Sequence, residues 1–306
     1  MACSGSHASI ILNDMHLVLI SGLSGSGKSV ALKVLEDANY YCVDNLPSQL
    51  LQQLVGQLEL QGYDKVGVVI DIRGGESVAM LPLQLDALRA NDLDLQFLFL
   101  DAQDSTLLKR YSETRRRHPL ASDELTLVEA IAEERVRLAG LSALGHHMDT
   151  SALKAGVLRQ WIRQFVSLKS SAVQHQGLTL LFESFGFKNG TPLDADLIFD
   201  VRCLPNPHYD LSLRPLTGLD QPVIDFLEIE PEVLRMRGDI ACFIRTWLPS
   251  YVRDSRNYLT IGIGCTGGQH RSVYFAEWLG KAFRDSACVL IRHRELPATS
   301  NSPARP

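Results

Sequence analysis

The segment with the clearest chemistry is residues 22–29, GLSGSGKS, which matches the phosphate-loop pattern G-x-x-x-x-G-K-[ST] in full. Its glycines leave room for backbone N–H groups to surround a polyphosphate, and the helix expected after it directs its positive end toward the same anion. Lys28 can reach the β- and γ-phosphates, and the Ser29 hydroxyl can ligate Mg²⁺. The pattern predicts a nucleoside triphosphate site formed by Gly22, Leu23, Ser24, Gly25, Ser26, Gly27, Lys28 and Ser29.

Three aspartates that follow predicted strands are candidates for the acidic partner of this Mg²⁺ ion. Asp71 ends the apolar run VGVVI and is the favoured candidate, whereas Asp101 ends the run LQFLFL and Asp44 follows a short strand. The carboxyl ends of parallel strands gather at one edge of a sheet, so all three can face the ligand. Each is equally compatible with a turn or a helix cap.

Three consecutive arginines, Arg115, Arg116 and Arg117, lie between two predicted helices. Positive charge directed at a transferring phosphoryl group is what such chemistry requires, so the segment is a candidate lid. The alternative to a lid, with equal weight, is that these arginines form a basic patch exposed to solvent. The sequence has no NKxD-like base reader and therefore does not choose between ATP and GTP.

A second anion-binding loop is indicated by the spacing C-x5-R-S at residues 265–272. In such a loop, backbone amides and an arginine enclose a phosphate-sized anion at a helix N-terminus that favours a thiolate. Three interpretations remain open: a non-catalytic site for a phosphorylated metabolite, which is favoured, a cysteine phosphatase with His208 or Asp210 as general acid, and a structural turn. The candidate residues are Cys265, Thr266, Gly267, Gly268, Gln269, His270 and Arg271.

Both loops lie within alternating strand and helix patterns. Apolar strands are predicted at 16–21, 40–43, 66–70 and 95–100 in the first half, and at 178–182, 197–201, 258–264 and 288–291 in the second. This alternation predicts an α/β protein with an N-terminal, kinase-like P-loop NTPase domain built on a parallel sheet and a smaller C-terminal α/β domain. The expected division is a flexible extension at 1–14, the nucleotide domain at 15–168, a linker at 169–177, the second domain at 178–295 and a flexible tail at 296–306.

Composition limits the class of protein. A net charge of −5 gives no general attraction to nucleic acid or to an anionic membrane, so any such binding requires a local patch. The six cysteines show no C-x-x-C pair, which favours a reducing compartment, and no apolar run approaches the ~18 residues of a membrane span. We therefore expect a cytoplasmic protein.

Several segments together resemble the RapZ family of bacterial nucleotide-binding proteins, also called RNase adapter proteins. They are GLSGSGKSVALKVLED, YYCVDNLP, RYSETRRRHPL, FESFGFKNGTPLDADLIFDVRCLPNPHYD, LRPLTGLD and IGCTGGQHRSVYFAEWL, and they span about residues 15–295 in the family's order. The resemblance implies a cytoplasmic oligomer, with C-terminal domains pairing, that binds and slowly hydrolyses ATP and GTP. It further implies that Asp71, Ile72, Arg73 and Gly74 contact GTP.

For the second domain, the resemblance implies a sensor of glucosamine-6-phosphate, with His208 and residues 265–271 lining the metabolite site. It also implies an adapter that binds small regulatory RNAs and presents one to an endoribonuclease. The arginines that we expect to contact RNA are Arg253, Arg256, Arg292 and Arg294. RNA-binding members tend to end in a dense Lys/Arg cluster, whereas this chain ends in RHRELPATSNSPARP. The alternative function is a small-molecule kinase or a C-x5-R cysteine phosphatase.

Overall fold

The computed structural model describes residues 15–72, 80–90, 93–121, 125–167, 178–254 and 258–296. Within these ranges the strands form two separate parallel sheets, one of five strands and one of four. The predicted fold class, a parallel-sheet P-loop domain followed by a smaller α/β domain, is therefore confirmed.

The first sheet has the strand order β2-β3-β1-β4-β5. Its strands are β1 (His16–Gly22), β2 (Tyr41–Val43), β3 (Lys65–Val69), β4 (Asp94–Asp101) and β5 (His146–Asp149). The helices are α1 (Lys28–Asp37), α2 (Leu51–Leu60), α3 (Leu81–Arg89), α4 (Asp104–Thr114), α5 (Leu127–Leu138) and α6 (Ala155–Ser167). β1, β3 and β4 are apolar and buried along most of their length because helices cover both faces of the sheet. Strand β5, which reads HHMD, was not predicted.

The second sheet has the order β7-β8-β6-β9. Its strands are β6 (Thr179–Gly186), β7 (Leu197–Asp200), β8 (Tyr258–Cys265) and β9 (Cys288–His293). The helices are α7 (Gln221–Glu228), α8 (Pro231–Arg253) and α9 (Arg271–Phe283). Every residue of the inner strand β6 is buried. None of the helices in the described ranges is both long enough and apolar enough to cross a membrane.

The two sheets place the two predicted loops in equivalent positions. β1 leads into α1 through residues 23–27, and β8 leads into α9 through residues 266–270. Both loops therefore lie where a strand ends and a helix begins, the position at which backbone N–H groups and the helix dipole favour an anion.

Candidate functional site

The backbone of the first loop requires glycine. Gly22 has φ +137°, and a Cβ atom there would lie 2.0 Å from the carbonyl oxygen of Leu100 on the neighbouring strand β4. Gly27 has φ +113° and caps α1, where a Cβ atom would lie 2.7 Å from Cδ2 of Leu158 on α6. The loop is therefore held in a tight, left-handed path between β1 and α1.

The two side chains with predicted roles stand at the start of α1. The Lys28 ammonium donates a hydrogen bond to the Gly22 carbonyl at 2.6 Å, across the mouth of the loop. Ser29 is exposed in the first turn of the helix. A positive charge and a hydroxyl at a helix N-terminus are suited to a polyphosphate and its metal ion.

Glu134 bonds to Ser24 of the phosphate loop, a role that the sequence analysis missed. Its carboxylate is buried and accepts hydrogen bonds from the Ser24 N–H at 2.9 Å, from the Ser24 hydroxyl at 2.7 Å and from His118 at 3.0 Å. Although burial opposes ionisation, the bond to His118, the charge of Lys28 and the two bonds to Ser24 hold the pKa of Glu134 below its usual value. No motif spacing links position 134 to position 24.

Arg110 and Thr150 hold the other side of the loop and were also missed. Arg110 donates to the Gly25 carbonyl at 3.0 Å and to the Thr150 carbonyl at 2.6 Å. The Thr150 hydroxyl donates to the Ser26 carbonyl at 2.8 Å. The loop is thus bonded to α4, α5 and the residue after β5, which orders it without a ligand.

Of the three candidate aspartates, Asp101 is already engaged. Its carboxylate accepts both hydrogen bonds from one Arg135 nitrogen at 3.0 Å and lies 3.2 Å from a His147 ring nitrogen. Against the effect of burial, His147 and Arg135 lower its pKa. Asp101 is therefore corrected from a possible metal ligand to the acceptor of a structural ion pair.

The other two candidate aspartates follow strands that lie at different distances from β1, the strand that leads into the phosphate loop. Asp44 is exposed and follows β2, which is separated from β1 by β3. Asp71 is buried two residues beyond the end of β3, the direct neighbour of β1. The sheet order thus favours Asp71. Within the described ranges there is no group of three His, Cys, Asp or Glu side chains able to hold a metal by themselves.

The remaining predicted residues of the first site divide between described and undescribed positions. Ile72 is buried, whereas Arg73 and Gly74 lie outside the described residues. The three arginines of residues 115–117 are exposed immediately after α4, and Arg115 adopts φ +51°. The next residue, His118, is buried against Glu134, so this exposed basic segment begins and ends close to the phosphate loop.

In the second loop, Cys265 is buried at the end of β8. Its sulfur accepts a hydrogen bond from the Gly268 N–H at 3.2 Å and lies 3.2 Å from the Ser272 hydroxyl. Arg271 does not reach over this sulfur as a phosphatase arginine would. Instead, one terminal nitrogen of its guanidinium donates to the Arg202 and Leu204 carbonyls at 2.8 and 2.7 Å.

A cleft of about 450 Å³ opens beside the second loop. It is lined by Arg202, Cys203, Leu204, Pro205, Asn206, Tyr209, Glu232, Thr266 and Arg271. The Arg271 Nε atom is buried without a hydrogen-bond partner in the described part of the chain. The Arg202 guanidinium in this lining is paired with Asp200 at 2.7 Å, and Glu232 adds one carboxylate to the cleft.

The other predicted residues of the second site lie around its rim. His208 is exposed, and its ring centroid lies 6.2 Å from that of His270. Burial, with the nearby His208, lowers the pKa of His270. Asp210 is exposed and accepts bonds from the N–H and hydroxyl of Ser212, which lower its pKa and oppose a role as a proton donor. Thr266 and Gln269 are exposed, Gly267 is half-buried and Gly268 is buried.

The structure corrects the prediction that Arg292 and Arg294 contact RNA. Arg292 is 1% exposed, bonds to the His146 ring at 2.9 Å and stacks over Trp161. The Arg294 side chain is 6% exposed and pairs with Asp149 at 3.2 Å. Neither guanidinium is available to a phosphate backbone. Residue 253 is exposed at the end of α8, and Arg256 lies outside the described residues.

The first sheet and its loop define a P-loop protein, and the second sheet adds a smaller α/β domain with the loop of residues 265–272 between β8 and α9. The chain belongs to the RapZ family. The family model of the RapZ-like N-terminal domain matches residues 15–170, and that of the RapZ C-terminal domain matches residues 178–297.

The chain is similar to curated proteins over nearly its whole length. A nucleotide-binding protein of Aromatoleum aromaticum is 61% identical over 280 residues, which cover 92% of this chain and 94% of the relative. A nucleotide-binding protein of Dechloromonas aromatica is 61% identical over 285 residues, covering 93% and 100%. Among solved structures, a shikimate kinase of Bacteroides thetaiotaomicron is 14% identical and covers 50% of this chain and 99% of that one. Its TM-score of 0.36 is too low to carry an argument.

Proposed function

We propose that this protein binds a nucleoside triphosphate, ATP or GTP, with Mg²⁺ at residues 22–29 and acts as a nucleotide-dependent regulator that hydrolyses the nucleotide slowly. The observation that carries the proposal is the glycine-lined loop between β1 and α1, with Lys28 and Ser29 at the helix N-terminus. The names of its relatives support the same activity. Ser29 and, directly or through water, Asp71 would hold the Mg²⁺ ion, which neutralises and orients the β- and γ-phosphates.

Slow turnover follows from the state of the acidic groups around the loop. Fast phosphoryl transfer requires a carboxylate or equivalent group to orient the nucleophile. Asp101 is engaged by Arg135 and His147, and Glu134 by Ser24 and His118. Two of the carboxylates nearest the loop therefore serve structure, which favours a regulator over a small-molecule kinase.

The test is calorimetry of ATP and GTP binding, with phosphate release as the turnover measurement. Lys28→Ala removes the ammonium at the mouth of the loop, and we expect loss of measurable binding or turnover. Lys33→Ala is the matched control because Lys33 lies on the same helix, is exposed and pairs with Glu36, three residues away. Equal affinity and turnover in wild type and Lys28→Ala would overturn the proposal.

For the second domain we propose capture of a phosphorylated amino sugar, of which glucosamine-6-phosphate is the candidate that the family resemblance implies. The supporting observation is the cleft that combines Arg202 and Arg271 with Glu232. The guanidinium groups would bind the phosphate, and the carboxylate would bind the ammonium group. Calorimetry should give tighter binding of glucosamine-6-phosphate than of glucose-6-phosphate, and Glu232→Gln should remove that preference. An unchanged preference in this variant would refute the role of Glu232.

The adapter role, with a small RNA and an endoribonuclease as partners in a homo-oligomer, rests on family membership. Among the described arginines proposed for RNA, Arg253 keeps an exposed side chain. Salt-dependent retention of RNA in a filter-binding assay, reduced by Arg253→Ala, is the expected result. Absence of salt-dependent retention would remove RNA from the proposal.

A further inference from the structure

Two consecutive residues at the end of β5 contact the nucleotide loop and the second domain. Thr150 donates its hydroxyl to the Ser26 carbonyl of the phosphate loop. The adjacent Asp149 faces the second domain, where its N–H donates to Asp194 at 2.9 Å and its carboxylate accepts from Arg294 at 3.2 Å. Thr150 and Asp149 therefore link the phosphate loop to an ion pair between the domains.

The same ion pair is joined to the Cys265 loop on its other side. Arg294 follows β9, and its N–H donates to the Ser184 carbonyl at 3.1 Å. The next residue, Glu295, accepts from Asn189 at 3.0 Å and lies so close to the second loop that a Cβ atom on Gly268 would be 2.4 Å from its carboxylate. Residues 294 and 295 therefore connect the domain contact to the backbone that surrounds the Cys265 sulfur.

The ion pair belongs to a larger buried cluster. Arg294 lies 3.7 Å from Glu183 and 4.0 Å from Asp194, and the carboxylates of these two residues and of Asp149 are fully buried. Both oxygens of Glu183 and one of Asp194 lack a hydrogen-bond partner within the described ranges. Charges out of water interact strongly, and unmet hydrogen-bonding capacity allows a second pairing arrangement. Arg294 therefore lies within 4.0 Å of three carboxylates, two of which are alternatives to Asp149 as its partner.

A second connection runs through α6 in parallel with the first. Leu158 of α6 packs on Gly27 of the phosphate loop, and Trp161, one turn further on, lies beneath Arg292 of β9 at 4.7 Å. Arg292 also bonds to the His146 ring, which packs against Tyr258 on β8. The nucleotide loop is therefore in contact with the second domain through two independent sets of side chains.

We propose that this buried contact couples the two loops, so that a nucleotide on residues 22–29 changes the packing of residues 265–271 and their affinity for a phosphorylated ligand. The inference rests on the proposed function of the first loop. By linkage, the effect is reciprocal, and coupling between protein sites is generally about 5–150-fold.

The test uses the full chain and the Cys265 thiol as a reporter. Iodoacetamide alkylation of Cys265 is followed by peptide mass spectrometry with and without saturating Mg²⁺-ADP, and the exposed Cys242 on α8 is the internal reference. We expect the Cys265 rate to change at least about fivefold while the Cys242 rate stays constant. Calorimetry of glucosamine-6-phosphate with and without Mg²⁺-ADP should show a change of similar size.

Asp149→Asn keeps the backbone bond to Asp194 but removes the charge that pairs with Arg294, and Arg294→Gln removes the other partner. In each variant ADP should still bind, whereas its effect on Cys265 should fall below about twofold; Arg284→Gln, at an exposed position, should keep it. ADP binding with no effect on Cys265 in the wild type would overturn the coupling and leave the nucleotide site intact. Absence of binding of both Mg²⁺-ADP and Mg²⁺-GDP would overturn the proposed function, and the coupling with it.

Discussion

The contact between Glu134 and the phosphate loop gives a prediction in which charge and hydrogen-bond geometry can be separated. Glu134→Gln and Glu134→Ala both remove one negative charge from beside Lys28. Only the glutamine can replace the bonds, because its carbonyl oxygen can accept from the Ser24 N–H and from His118 while its NH₂ group donates to the Ser24 hydroxyl. Because both variants lose the charge, any difference between them reports the bonds and the lost side-chain volume, not the charge.

The magnitude follows from the three buried hydrogen bonds. Hydrogen bonds to charged groups contribute about 1.5–3 kcal/mol and neutral ones about 0.5–1.5 kcal/mol, so replacing three of the first kind by three of the second in Glu134→Gln should cost ~3–4.5 kcal/mol. Glu134→Ala leaves the Ser24 N–H and His118 buried without an acceptor, at about 1–3 kcal/mol each, and adds a cavity, for a total of ~4–6 kcal/mol. A loop freed in this way must be ordered on binding, so ADP affinity should fall about tenfold, which corresponds to ~1.4 kcal/mol.

The assay is thermal unfolding followed by circular dichroism, together with calorimetry of Mg²⁺-ADP. Glu133→Ala is the control because Glu133 precedes Glu134 on α5 but is 43% exposed and pairs only with Arg137, so its cost should stay within about 0.5 kcal/mol. The glutamine variant should bind ADP within about threefold of wild type. Equal losses of stability and affinity in the glutamine and alanine variants would show that the charge, and not the bonding, is what the loop requires, and the reasoning would fail.

Two further predictions concern the second domain. Cys265→Ser should leave p-nitrophenyl phosphate hydrolysis by the full chain unchanged, because Arg271 is bonded to backbone carbonyls; loss of a measurable activity would instead establish a phosphatase. Burial and the neighbouring Asp194 raise the pKa of Glu183 well above its usual value, opposed by Arg294 and Arg292. Its contribution to stability is therefore complete below the unfolded pKa of about 4.3 and is lost as the pH rises through the folded pKa. Glu183→Gln should accordingly raise the Tm at pH 8 but not at pH 4, by about 2–4 °C per kcal/mol, and an equal change at both pH values would contradict this sign.

Patterns among neighbouring residues were sufficient to predict most of the strands and helices. The apolar runs of β1, β3 and β4 predicted buried parallel strands because a strand covered on both faces needs no polar alternation. The start of α5 is also encoded locally, since the Thr126 and Glu129 side chains form a reciprocal capping box at its N-terminus. These features depend on residues only a few positions apart, so they can be recognised from a single sequence.

Strand β5 was missed because its burial depends on distant residues. His146 is buried through its stack on Phe165, its contact with Tyr258 and its bond to Arg292, which lies 146 residues further along the chain. The error at Arg292 has the same origin. A count of basic residues reports charge, but it does not report whether a carboxylate or an aromatic ring from another domain covers that charge.

The two loops share one construction and differ in where their basic side chain is directed, and this difference bears on what each can bind. Lys28 donates to the Gly22 carbonyl at the mouth of its loop, a neutral acceptor that a phosphate oxygen can replace. Arg271 gives one nitrogen to two carbonyls and keeps Nε for another partner. Its guanidinium is thus held in place by the Arg202 and Leu204 carbonyls, with Nε buried. The first loop is thus suited to a highly charged ligand held with Mg²⁺, and the second to reversible capture of a phosphate monoester.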